Sequence, residues 1–76
     1  MINAKQCRAA RAWLGWSQED LSKASLVSKR AIASFELEKS VPHDRTLHDL
    51  KRAIEDAGIE FLMSGAIGIG LREGEK

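Results

Sequence analysis

Seventy-six residues bound the molecule to one small domain with one modest core, too short for a cleft roofed by a second domain. A hydrophobic content of 43% is ordinary for a folded chain, and the single cysteine, Cys7, excludes an intrachain disulfide and suits a reducing compartment. The net charge is only +1, but residues 1–35 carry six basic and two acidic side chains, whereas residues 36–76 carry six basic and nine acidic. One half can therefore face a polyanion, although ordinary surface scatter gives the same count. No apolar run approaches the roughly 18 residues of a membrane span, and MINAKQCRAAR lacks the apolar core of a signal peptide. A soluble, cytoplasmic protein with no membrane association is expected.

In chain order, the first predicted helix covers 3–14, with Cys7, Ala10 and Leu14 on one stripe and Gly15 as its stop. Trp16 falls in a tight connector, and it and Trp13 read as core or edge packing. Ser17 is an N-cap for a second helix over 18–25, with Glu19 and Asp20 favoured by the helix dipole. Asp20 stands where a capping box prefers Glu or Gln, so the box is expected to be imperfect. Leu21 and Ala24 are expected to face inward. Ser25, Leu26 and Val27 form the turn, and Ser28 caps a third helix over 29–37 with Ala31, Ile32 and Phe35 inward. EKSVPH, residues 38–43, is a loop. Asp44 is expected to cap a fourth helix over 45–57, whose stripe of Leu47, Leu50, Ile54 and Ala57 ends at Gly58.

Beyond Gly58 the period changes to two. Ile59, Phe61 and Met63, then Ile67, Ile69 and Leu71, predict two short strands with Ser64-Gly65-Ala66 turning between them. The expected architecture is all-α, a four-helix domain over 1–58, with a C-terminal β-strand or hairpin over 59–76. An isolated hairpin is marginal in water, so this one must lie on the helices or pair with another chain. Edge pairing between two copies is the expectation for a homodimer.

Two helices joined by three or four residues make a helix-turn-helix, whose second helix enters the major groove of DNA. Lys29 and Arg30 lead the third helix, and Ser34 follows one turn later on the same side. Arg and Lys can both reach the O6 and N7 edge of guanine. Gln18 either contacts phosphate or braces the third helix, and the amides at the starts capped by Ser17 and Ser28 suit phosphate.

RAARAWLGWSQEDL, VSKRAIASFE and VPHDRTLHDLKRAIEDAGIEF together resemble the lambda-repressor-like (Cro/CI, XRE) DNA-binding domains over roughly residues 5–61. The resemblance implies base contacts from Lys29, Arg30 and Ser34. It implies phosphate contacts from Gln18, Ser28, Lys39 and Arg45, and a structural ion pair between Arg11 and Glu36. Three positions depart from it. Leu26 and Glu38 stand where relatives usually have glycine, and Leu37 replaces a polar or basic residue. Together they leave a protein-interaction module on the same scaffold, such as an antitoxin subunit, an antiactivator or a corepressor, as the alternative function. The partners expected are double-stranded DNA and a second copy, with a protein partner under the alternative.

No chemistry of another kind emerges. Cys7, His43 and His48 lack metal-ligand spacing, so neither a metal nor a cofactor is expected. The stretch GAIGIG precedes no helix and is no dinucleotide loop; its glycines suit a bend or a close approach to the strand. No nucleophile, base and orienter can be assembled, so an enzyme is not expected.

Overall fold

A computed structural model describes residues 1–64 and 67–74. Four helices, α1 (Ala4–Leu14), α2 (Gln18–Ser25), α3 (Lys29–Glu36) and α4 (Asp44–Asp56), precede an antiparallel hairpin of β1 (Ile59–Ser64) and β2 (Ile67–Glu73). The turn predicted at Ser64-Gly65-Ala66 falls largely outside the described residues. Cys7, Ala10, Leu21, Ile32, Phe35, Leu47, Leu50 and Ile54 form one core with Ile59 and Phe61 of β1. Trp16 and Leu71 pack against its edge. Helices and hairpin thus share a single apolar interior, the arrangement that lets a two-stranded sheet persist.

Each helix start has a local cause. Asn3 Oδ1 accepts from the Gln6 amide at 2.8 Å, and Gln6 Oε1 accepts from the Asn3 amide at 3.1 Å, a reciprocal capping box for α1. Ser17 and Asp20 make the same exchange at α2, at 3.0 and 2.9 Å. The box expected to be imperfect is closed, because the shorter aspartate still reaches the Ser17 amide. Gly15 stops α1 in the left-handed region at φ 69°. At α4 the cap is His43, which makes no side-chain cap bond, and Asp44 is already the first helical residue. The helix thus begins one residue earlier than expected.

In α2 the inward pair is Leu21 and Ser25, while Ala24 is exposed, contrary to the expectation for Ala24. Ser25 Oγ donates to the Leu21 carbonyl at 2.7 Å and accepts from the Val27 amide at 3.2 Å. Ser22 Oγ donates to the Val27 carbonyl at 2.6 Å. These serines hold the turn in which Leu26 takes φ 63° without being glycine. Such a conformation costs an L-residue roughly 1–2 kcal/mol, and three turn bonds offset it. Glu38, just after α3, is the second non-glycine residue at positive φ, 58°.

The hairpin is fastened to the start of α1. A bulge interrupts the register after Leu62. Gln6 Nε2 reaches into it, donating to the Leu62 carbonyl at 3.1 Å and the Gly70 carbonyl at 3.0 Å. Asn3 Nδ2 donates to the Gly68 carbonyl at 3.1 Å. A Cβ at Gly68 would stand 2.0 Å from Gln6 Oε1, so the close strand approach requires glycine there.

Candidate nucleic-acid interface

The surface in question is built on α3, which is only eight residues long and needs tertiary support to hold an angle. That support converges on Glu36, at its last turn and only 2% exposed. Arg11 Nε and Nη2 each donate to the Glu36 carboxylate at 2.7 Å, a bidentate ion pair from α1. Gln18 Nε2 adds a bond from α2 at 3.1 Å, and the Cys7 thiol adds another at 3.2 Å. Arg8 Nη1 donates to the Glu36 backbone carbonyl, and Arg11 Nη1 donates to the Trp16 carbonyl at 2.9 Å. Three helices are thereby keyed to one carboxylate.

Burial alone would raise the Glu36 pKa. The hydrogen bonds from Arg11, Gln18 and Cys7 overcome it and hold the carboxyl below its ordinary value. The Cys7 thiol is pushed up, first by burial and then by its bond to Glu36, so it remains a neutral donor. A carboxylate with all its acceptors used in this way fixes orientation more than it adds stability.

The N-terminal end of α3 is open. Lys29 and Arg30 are both exposed in its first turn. Ser34 lies four residues after Arg30 and so on the same face, half-buried, with its Oγ 2.8 Å from Ser40 Oγ. Ser28 is exposed and occupied as the cap, accepting from the Ala31 amide at 3.1 Å. Lys39 is exposed in the loop after α3, and Arg45 is exposed in the first turn of α4. Gln18 stands apart from these, since its amide is turned toward Glu36 as a brace. Leu37, 64% exposed, and the Glu38 carboxylate lie in the same loop.

The bonding roles of Asn3, Gln6, Arg8 and Cys7 lie outside what the sequence pattern predicts. Asn3 and Gln6 had a local signal, an Asn followed three residues later by Gln. Arg8 and Cys7 had none, because their partner is on α3. Among the described residues no group of His, Cys, Asp or Glu is placed to hold a metal ion, and no helix is long and apolar enough to cross a membrane.

No curated protein matches the chain significantly. A family model described as helix-turn-helix matches residues 8–55, well over half of the chain, from α1 to the last turn of α4. With two short helices in tight succession and an outward third helix, the chain belongs to the XRE/lambda-repressor-like helix-turn-helix family.

Proposed function

We propose that the protein is a sequence-specific double-stranded DNA-binding transcriptional regulator, non-enzymatic and cytoplasmic, that works as a homodimer. The observation that carries this reading is the open first turn of α3, where Lys29 and Arg30 stand exposed on a helix held by Glu36. In the major groove Arg30 donates two parallel bonds to a guanine edge, and Lys29 and Ser34 read neighbouring positions. Lys39 and Arg45 neutralise phosphates, as do the helix-start amides beside Ser17 and Ser28. Gln18 acts through the brace and not through direct phosphate contact. Occupancy of the groove blocks or recruits other proteins at a promoter. One module reads few bases, so two are needed, on half-sites about one helical turn apart.

A second reading has its own support. Leu26 and Val41 are each 92% exposed, and with Leu37 they put apolar side chains at both ends of α3. A protein partner would cover such side chains. Selection from random duplexes separates the two: the DNA reading predicts a consensus with twofold symmetry. Selection without enrichment, together with capture of one polypeptide, supports the second reading.

A further inference from the structure

The residues that end α3 turn the chain back over its own last turn. The Glu38 amide donates to the Phe35 carbonyl at 2.9 Å and the Lys39 amide to the Ser34 carbonyl at 3.0 Å, with Glu38 left-handed at φ 58°. This double closure is a Schellman motif, completed without glycine. It delivers Ser40 to Ser34, and their hydroxyl oxygens stand 2.8 Å apart. Ser34 is half-buried on the face of α3 that carries Arg30, whereas Ser40 is exposed beside Lys39.

A helical serine can turn its proton back to the carbonyl four residues earlier, as Ser25 does toward Leu21 at 2.7 Å. Among the described residues, the partner of the Ser34 hydroxyl is instead Ser40. Each hydroxyl carries one proton and two lone pairs, so only one of the two donates within the pair. If Ser40 donates, Ser34 keeps its proton for a base. If Ser34 donates, it offers a base only lone pairs, and the Ser40 proton is free to point out of the pair. The two arrangements favour opposite base groups.

We propose that Ser40 is a positioning residue for base readout: it commits the Ser34 hydroxyl to accept, so that Ser34 selects a base presenting an amino group in the major groove, cytosine or adenine. On the DNA-binding reading, on which this rests, a phosphate oxygen lies beside Lys39. Such an oxygen only accepts, and it draws the Ser40 proton outward. Ser40 Oγ then accepts from Ser34, and the chain of bonds polarises in one direction, from Ser34 through Ser40 to phosphate. The Ser34 lone pairs that remain meet cytosine N4 or adenine N6, whereas guanine and thymine present only acceptors at their hydrogen-bonding groups there. A contact to the sequence-independent backbone thereby fixes which base the helix reads.

Selection from random duplexes, followed by titration of single-position variants of the selected site, tests this with four proteins: the parent, Ser34→Ala, Ser40→Ala and Ser40→Thr. The position whose preference Ser34→Ala erases should carry cytosine or adenine in the parent. Ser40→Ala frees the Ser34 proton, so guanine and thymine at that position should gain roughly two- to tenfold relative to cytosine and adenine, the worth of one hydrogen bond. Ser40→Thr keeps the hydroxyl and should keep the parent preference. Adding Ser40→Ala to Ser34→Ala should change nothing further at that position. A merely structural Ser40 would instead weaken all duplexes alike and leave the preference as it was. Guanine or thymine at that position in the parent, no position dependent on Ser34, or an unchanged preference in Ser40→Ala would overturn the proposal while a parent consensus leaves the DNA-binding reading standing. A parent that selects no consensus at all removes that reading, and this role of Ser40 with it.

Discussion

Replacing Arg11 with alanine leaves the Glu36 carboxylate buried with only Gln18 and the Cys7 thiol as donors. Removing one partner of a buried pair costs about 3–5 kcal/mol. The Arg11 side chain keeps 20% exposure, so water reaches part of the vacated site and the lower end, about 3 kcal/mol, is expected. At roughly 0.05–0.15 kcal/mol per residue, a chain of this length has about 4–11 kcal/mol in total. Thermal unfolding followed by circular dichroism at pH 7 should show a fall of roughly 12–24 °C. Acid gives the sign. In the parent protein Glu36 is held below its ordinary value, so its contribution is present above the unfolded carboxylate pKa of about 4.3 and fades as pH falls through the folded value. In Arg11→Ala, burial raises that carboxyl instead, so the variant regains stability relative to the parent as pH falls from 7 toward 4. Arg11→Met with Glu36→Met should recover most of the loss, because an apolar pair of similar volume leaves no charge buried. A loss below about 1 kcal/mol at pH 7, or a deficit that does not shrink in acid, would refute the reasoning.

The two hairpin glycines should behave differently. Gly68→Ala must displace Gln6 from its cap and its strand carbonyls and should cost about 1–3 kcal/mol by urea titration, whereas a Cβ at Gly70 meets only Leu62 Cδ1 at 3.7 Å and should change stability by under about 0.5 kcal/mol. Leu26→Gly relieves a positive φ at a 92%-exposed side chain and should raise the melting temperature by a few degrees, the relief exceeding the added chain entropy. Glu38→Gly should do the same and also tighten DNA binding, most clearly at low salt, by removing a carboxylate beside the phosphate-facing loop. Cys7, fully buried and with its thiol pKa pushed up, should react with a disulfide reagent only at the rate of unfolding.

Local patterning carried the fold well. The spacing of Leu47, Leu50 and Ile54 marks α4, the period-two tail marks the hairpin, and Gly15 and Ser17 bracket the first connector. The misplacement of Ala24 has a plain cause. An eight-residue helix offers barely two turns, so its inward face is poorly fixed by period, and Ser25 gains a place inside by bonding backbone on both sides. The left-handed turns at Leu26 and Glu38 were visible only through likeness to relatives with glycine there, since neither residue type signals one. Least legible were the long-range polar joints. Gln6 reads locally as a helix-start residue, yet its amide fills a bulge more than fifty residues away, and Cys7 reads as a small apolar residue, yet it donates to Glu36. Spacing along the chain reports faces, and it does not report which distant acceptor a buried donor will meet.

The central claim is that the first turn of α3 reads bases while the flanking cations hold phosphates. Titration of the selected duplex with the parent protein and Arg30→Ala, at two salt concentrations, tests it most directly. Arg30→Ala should lose about 1–3 kcal/mol on the selected site, with little change on unrelated duplex. The parent should show a log–log salt slope of at least about −2 per subunit, from Lys39 and Arg45. Binding that ignores salt, or an Arg30→Ala variant equal to the parent on the selected site, would contradict it.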